Sequence, residues 1–358
     1  MKHATNHANP FITGQAVRDT DFIGRKSELA EVSEFLQTPN AVHLIITGQR
    51  RCGKTSFLKK IQTEFQSEER NILYFNLQDK ADVSLNRVVE FIRARTERHL
   101  NFDHPFYEKQ SFGEYLEAAL EHTQTQLVWL FDEFDVMCPD ATEVARKTLE
   151  ARMAFCDYLN HIQLHRPSIT RWLKIIYAIG TNYAESVSHT CGRMVKSAQR
   201  IRLATLSDEE IDGILNMSKP LEFCAEAKAR LSKLSGGNPY FLQILAADAY
   251  EHAESRSKQS IELQDVDLII SETIARFEVG FDSIMDGFKT TEKKVLKTIA
   301  EFETNATFEQ ILEKSKLEDY VLEKSLKTLI HNDFIKKNRQ KGYTFSAEIL
   351  KHSLRKHN

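Results

Sequence analysis

The stretch Gly48-Gln49-Arg50-Arg51-Cys52-Gly53-Lys54-Thr55 fits G-x-x-x-x-G-K-[ST], the pattern of a phosphate-binding P-loop. A bound phosphate needs many donors and little bulk around it. Gly48 and Gly53 are expected to let the backbone turn sharply with its N–H groups inward. Lys54 then reaches the β- and γ-phosphates, and the Thr55 hydroxyl is a ligand for Mg²⁺. The flanks support the pattern. Val42-His43-Leu44-Ile45-Ile46-Thr47 reads as a buried strand. Ser56 to Gln66 reads as a helix, with Phe57, Leu58, Ile61 and Phe65 on one face. A strand, loop and helix in this order place phosphate at a helix N-terminus, where the dipole and free N–H groups favour an anion.

Working outward, strands are expected at Asn71–Leu77, Leu127–Phe131, Leu173–Ile179 and Arg200–Leu203. Helical spacing covers Glu28–Leu36, Ser84–Arg98 and Gly113–His122. Strands alternating with helices predict a parallel sheet flanked by helices on both faces, an α/β P-loop NTPase core. From Ser207 to about Arg276 the pattern is entirely helical, opening with Ser207 and Glu210 as a capping box. Helices near Thr291–Phe302, Thr307–Lys314 and Leu317–His331 follow, then Phe334–Lys337 and Tyr343–Phe345 as a hairpin. Three helices and a hairpin in that order predict a winged helix. The expected divisions are an N-terminal, weakly structured arm (1–20), a P-loop core (21–205), a helical lid (206–278) and a winged-helix domain (279–358).

A second half of the nucleotide site is legible at Leu127-Val128-Trp129-Leu130-Phe131-Asp132-Glu133, an apolar strand ending in two carboxylates. This is how a Walker B strand reads. Asp132 belongs to the Mg²⁺ shell, because Mg²⁺ takes a few oxygen ligands beside the substrate phosphates. Glu133 is the candidate base for the attacking water. Asp135 fits an outer or capping position. The strand ending Gly180-Thr181-Asn182 offers Asn182 or Thr181 to orient the γ-phosphate or its water, or else to cap the next turn.

Three blocks together resemble the archaeal-type and STAND-like P-loop ATPases, relatives of AAA+ proteins. Phe22-Ile23-Gly24-Arg25 with Glu28-Leu29 is similar to the box before their P-loop. Gly48-Gln49-Arg50-Arg51-Cys52-Gly53-Lys54-Thr55-Ser56 is similar to their loop, and Gly236-Gly237-Asn238-Pro239-Tyr240 to an element of their helical lid. Asn9-Pro10-Phe11 to Arg18-Asp19 resembles the leader of bacterial members. The resemblance implies ATP or ADP held with Mg²⁺ between sheet domain and lid. It implies Ile23, Gly24 and Arg25 against the adenine, and Pro239 over the base or ribose. It further implies a nucleotide switch that oligomerises in the ATP state and acts on duplex DNA or a separate effector protein. The absence of an arginine after Gly180-Thr181 departs from the STAND pattern and points to the archaeal or origin-recognition-like branch. It leaves Arg152, Arg193 and Arg200 as candidates for an arginine finger. The competing reading is a nucleotide-binding scaffold with negligible turnover, against which Glu133 argues.

Bulk properties narrow the partners. A formal net charge of -3 over 358 residues excludes a wholly electrostatic nucleic-acid binder, while leaving local patches open. From Leu326 onward there are eight Lys or Arg against two acidic residues, with Lys336, Lys337, Arg339 and Lys341 in the expected wing. These suit phosphate contacts; Glu318, Asp319 and Glu323 on the helix before them oppose it. A winged helix that packs on the lid as a bracket is the other reading. No apolar run is long enough to span a bilayer and the start is no signal peptide, so a cytoplasmic protein without membrane contact is expected. The five cysteines, Cys52, Cys138, Cys156, Cys191 and Cys224, include no C-x-x-C pair, which gives neither a zinc site nor a disulfide framework.

Overall fold

The computed structural model describes residues 9–78, 85–102, 111–134, 154–155, 157–161, 167–181, 197–285, 287–339 and 342–356. They form two compact units. One comprises Arg18–Gly48 and Lys54–Leu203; the other comprises residues up to Val17, the loop Gln49–Gly53, and Ala204 onward.

The first unit is built on five parallel strands: β1 (His43–Gly48), β2 (Arg70–Asn76), β3 (Gln126–Asp132), β4 (Leu173–Gly180) and β5 (Gln199–Leu203). Their order across the sheet is β2-β3-β4-β1-β5. The P-loop strand β1 therefore lies between β4 and β5, and β4 separates it from β3. The unit also carries helices α1 (Lys26–Gln37), α2 (Lys54–Phe65), α3 (Leu85–Leu100), α4 (Phe112–Thr123) and the single turn α5 (Pro167–Thr170). Burial follows from sheet geometry. A parallel sheet covered on both faces needs unbroken apolar strands, and β3 is buried from Leu127 through Asp132. One face, carrying Leu73, Phe75, Trp129, Phe131, Ile175 and Tyr177, packs on Val88 and Ile92 of α3 and Leu116 and Leu120 of α4. On the other face α2 lies over the sheet, and its Gln62 side chain donates to the Ile72 carbonyl at 3.0 Å.

One buried charge serves the fold alone. Lys174 on β4 has no exposed surface, and its ammonium donates to the Thr38 and Ala41 carbonyls where α1 ends. Burial, helped by Arg70, lowers its pKa to about 8. Both carbonyls lie in the turn that follows α1, and the Lys174 ammonium bridges them.

The second unit carries α6 (Asp208–Leu215), α7 (Ala225–Ser235), α8 (Pro239–Ser255), α9 (Leu263–Arg276) and α10 (Glu278–Met285). Ser207 and Glu210 form the expected capping box. This stretch is not wholly helical, however. Two-residue strands β6 (Glu222–Phe223) and β7 (Ser260–Ile261) pair in parallel, Phe223 opposite Ile261. Each is too short to show a period-two pattern, so sequence alternation cannot reveal it. The chain continues through α11 (Thr290–Ala300), α12 (Phe308–Ser315) and α13 (Asp319–His331). It then forms the antiparallel hairpin of β8 (Ile335–Lys337) and β9 (Tyr343–Phe345). A last helix, α14 (Glu348–Lys356), buries Ile349, Leu350 and Leu354 and was not anticipated. Arg230 on α7 ties it in, binding Glu348 and, on α9, Asp267, each at 2.7 Å.

The N-terminal arm also departs from expectation. Asn9 donates to the Ala247 carbonyl at 3.1 Å, and the Ile12 amide donates to Gln243 at 3.1 Å, both on α8. Phe11 is buried, edge-on to Phe223 and Tyr250. One aromatic side chain gains enough by leaving water, about 2 kcal/mol, to hold an otherwise polar strap.

Candidate nucleotide site

The sheet-bearing unit supplies the catalytic-type side chains. Gly48 is the last residue of β1, paired with Gly180 and Leu203. The sharp turn expected of it is made elsewhere, at Arg51 (φ 63°) and Gly53 (φ 94°), so Gly48 closes a strand and Gly53 alone supplies the glycine turn. Lys54 opens α2, is 8% exposed, and donates from Nζ to the Gly48 carbonyl at 3.3 Å. Helix α2 begins over the carboxyl end of β3. There the Thr55 hydroxyl donates to Asp132 Oδ2 at 2.7 Å. The Walker A threonine and the Walker B aspartate, 77 residues apart, are thus in contact. Asp132 is 1% exposed. Its other oxygen accepts the Glu133 amide at 3.0 Å. Glu133 stands in the left-handed region at φ 54°, a conformation a non-glycine residue seldom takes outside constrained sites.

A third donor to Asp132 went unnoticed in the sequence. Tyr74 on β2 gives its phenol proton to the same Oδ2 at 2.7 Å. Burial first, then the Asp132 carboxylate, pushes the Tyr74 phenol well above its ordinary pKa. It therefore keeps its proton and donates to the carboxylate. Nothing in local sequence marks Tyr74; the signal is the β2–β3 register.

Upstream of α1, Gly24 (φ 85°) and Arg25 (φ 58°) both turn left-handed, which starts α1 at Lys26. The Arg25 guanidinium is buried and paired with Glu28 at 3.0 Å. Ile23 is half-buried beside it. Thr181 follows β4 directly, and β4 neighbours β1. Asn182, Asp135, Arg152, Arg193, Lys341, Cys138, Cys156 and Cys191 lie outside the described residues. Arg200 is exposed on the edge strand β5.

The rest of the P-loop groups with the helical unit. Arg50 is exposed and Cys52 buried, its amide closing a turn onto the Gln49 carbonyl at 3.2 Å. Gln49 donates to the Asn332 carbonyl at the end of α13 and accepts from Asn238 at 3.3 Å. The Arg51 guanidinium lies 4.4 Å above the Tyr240 ring. A Cβ added to Gly53 would meet Pro239 Cγ at 3.8 Å, which brings Pro239 beside the loop.

The Gly236-Gly237-Asn238-Pro239 element explains itself in this setting. Gly236 ends α7 at φ 57° and Gly237 follows at φ 75°. Asn238 caps α8, accepting from the Tyr240 and Phe241 amides, and Pro239 takes the first helical position. A Cβ on Gly236 would come within 2.3 Å of the Ser346 carbonyl, and one on Gly237 within 2.7 Å of the Leu206 carbonyl. Gly236→Ala should therefore destabilise the helical unit by about 2 kcal/mol or more, from left-handed strain plus a backbone clash. A thermal melt checks this; an unchanged midpoint would remove the steric account.

Mg²⁺ fits the donor set. Thr55 and Asp132 offer hard oxygens, and no cluster of three or more His, Cys, Asp or Glu exists among the described residues. Mg²⁺ at nucleotide sites takes one or two protein oxygens and fills its shell with water and phosphate.

The comparisons agree with this geometry. Residues 22–163 match the family model described as an ATPase domain predominantly from Archaea. No curated protein matches the chain at a significant level. Among solved structures, the Walker-type ATPase PABY2304 of Pyrococcus abyssi has the same fold, with a TM-score of 0.66 at 14% identity. The match covers 97% of this chain and 99% of that one. The Aeropyrum pernix Orc1 protein in complex with DNA is similar at TM-score 0.49 and 15% identity, over 94% and 93% of the two chains. The Thermotoga maritima RuvB Holliday junction branch migration motor follows at 0.47 and 14%, over 92% and 95%. At TM-scores under 0.5 these last two say nothing further about this chain. The P-loop, the Thr55–Asp132 contact and the match over residues 22–163 together make this chain a P-loop ATPase, with a domain similar to ATPase domains found predominantly in Archaea.

Proposed function

We propose that this ATPase is a Mg²⁺-dependent nucleotide switch, in which ATP binding drives assembly and hydrolysis resets it. The observation that carries the reading is the Thr55–Asp132 hydrogen bond of 2.7 Å, with Glu133 next in sequence. Thr55 gives its one hydroxyl proton to Asp132, which leaves its oxygen lone pairs for a cation. Bound Mg²⁺ would neutralise charge on the β- and γ-phosphates. Lys54 contacts those phosphates as a point charge. The backbone amides at the start of α2 bind phosphate oxygens. Glu133 takes the proton of the attacking water, and Asn182 or Thr181 orients the γ-phosphate. Gln49, Arg50, Arg51, Cys52, Gly53 and Ser56 complete the cradle. Ile23 and Gly24 flank the base, with Arg25 bracing them through Glu28, and Pro239 closes over base or ribose.

Residues 206–278 then act as lid and 279–358 as a winged helix that passes the nucleotide state to duplex DNA. Lys336, Lys337 and Arg339 are exposed on and after β8, which supports phosphate contacts there. Exposed Glu318, Asp319 and Glu323 lie on or just before α13, so the hairpin rather than that helix is the DNA-facing element. The test is steady-state ATP turnover with and without duplex DNA. Turnover should rise with DNA, and Lys336→Ala/Lys337→Ala/Arg339→Ala should abolish the rise while keeping the basal rate. Turnover indifferent to DNA in the parent chain would sink the DNA arm and make a separate effector protein the recipient.

A further inference from the structure

We propose that Tyr74 is a positioning residue for Asp132, fixing the carboxylate in the orientation that Thr55 and a bound cation require; this rests on the reading of Thr55 and Asp132 as the Mg²⁺ pair. The placement comes from sheet geometry. β2 and β3 run parallel with Tyr74 opposite Leu130 and Asn76 opposite Asp132. Side chains alternate along a strand, so Asp132 shares the face of Leu130 and of Tyr74 and sits on the diagonal from Tyr74. Diagonal neighbours are about 7–8 Å apart, within reach of a long aromatic side chain and beyond that of a short polar one. Tyr74 spans the gap with its phenol, 2.7 Å from Oδ2.

The consequence lies in how the carboxylate is held. Its terminal torsion joins an sp³ to an sp² carbon and is broad and roughly twofold when nothing restrains it. Here Oδ2 accepts from Thr55 at 2.7 Å and from Tyr74 at 2.7 Å, while Oδ1 accepts the Glu133 amide at 3.0 Å. Thr55 sits on α2, Tyr74 on β2 and Glu133 on the chain after β3, so three separate segments set one group. With the Thr55 oxygen engaged at a cation, Tyr74 is the second side-chain donor that keeps Oδ2 in place. A space-filling role does not account for this. The neighbours Leu73 and Phe75 point into the core, whereas Tyr74 is half-buried on the opposite face and ends on the carboxylate.

The test uses the full chain and Tyr74→Phe, which removes one oxygen and keeps the ring. Binding of a fluorescent ADP analogue is titrated with Mg²⁺ and repeated in EDTA, and Mn²⁺ binding to the ADP-loaded protein is read by electron paramagnetic resonance. The half-saturating Mg²⁺ concentration should rise about tenfold, the usual cost of losing a partner that orients a metal ligand, with a parallel loss of Mn²⁺ affinity. Affinity in EDTA should stay within about twofold, which also reports an intact fold. An Mg²⁺ midpoint unchanged in Tyr74→Phe overturns the proposal. So does an equal loss with and without metal, because that is general damage. Asp132→Ala separates the layers. If it too leaves the metal midpoint unchanged, the Thr55–Asp132 reading fails and takes the Tyr74 proposal with it. If Asp132→Ala loses metal dependence and Tyr74→Phe does not, only Tyr74 is wrong.

Discussion

Lys54→Ala should lower ATP turnover by at least about a hundredfold and weaken ATP binding in the same variant, because under the proposed reading it removes the lysine that contacts the β- and γ-phosphates. The side chain is 8% exposed, and its ammonium rests on the Gly48 carbonyl at 3.3 Å. It is thus held at the mouth of the loop, and little side-chain freedom is left to lose on binding. Alanine at the first position of α2 suits the helix, so the loss falls on phosphate contact and not on the fold. Turnover by phosphate release and affinity by a fluorescent ATP analogue check both effects, with a thermal melt of the apo protein as control. Turnover within tenfold of the parent, with the melt unchanged, would place the phosphates elsewhere and remove the P-loop from the chemistry.

The parallel core was legible because its signals are local and redundant. β2, β3 and β4 each carry an apolar run of at least four residues, β1 carries Leu44, Ile45 and Ile46 directly before the P-loop, and the α2 periodicity follows the loop without a break. The P-loop and the two carboxylates were legible for the same reason: each is a short pattern with its own strand. What escaped has a common cause, dependence on register or on contacts distant in sequence. Tyr74 matters only once β2 is set beside β3 with Tyr74 opposite Leu130. The Gln49 side chain meets the Asn332 carbonyl, 283 positions away, a contact that no local pattern marks. The strands β6 and β7 are two residues each, below the length at which alternation can be seen. The partner of the buried Arg25 guanidinium is likewise a matter of folding: Glu28, one turn along, supplies a carboxylate at 3.0 Å.

Backbone strain adds a layer that sequence cannot display. Arg25, Arg51 and Glu133 are all left-handed without being glycine, and all three fall in segments assigned to nucleotide contact. Each such residue costs on the order of 1 kcal/mol and persists only where its surroundings over-determine it. At Glu133 the determinant is visible. Its amide is bound to Asp132 Oδ1, and Asp132 is itself held by Thr55 and Tyr74. The Glu133 backbone and the Asp132 carboxylate are therefore joined in one connected group of hydrogen bonds. A change that loosens Asp132 should also move Glu133.

That coupling makes Glu133→Gln the sharper probe of the chemistry. Glutamine keeps the length of the side chain and the backbone amide that Asp132 holds, and removes only the capacity to take a proton. Turnover should fall by about 10²–10⁴-fold, the usual contribution of a general base. ATP affinity should stay within a few-fold, since no phosphate contact is lost. Under the switch reading the variant with ATP should then persist in the assembled state, seen as a higher mass by light scattering than with ADP. The parent chain should return to the ADP mass as ATP is consumed, because a γ-phosphate that biases a two-state element stops doing so once cleaved. The two readouts fail separately. Unchanged turnover in Glu133→Gln would mean that another group takes the proton. Lost turnover without a change in mass would keep Glu133 as the base and remove self-assembly from the cycle, leaving the nucleotide state to be read by a different chain.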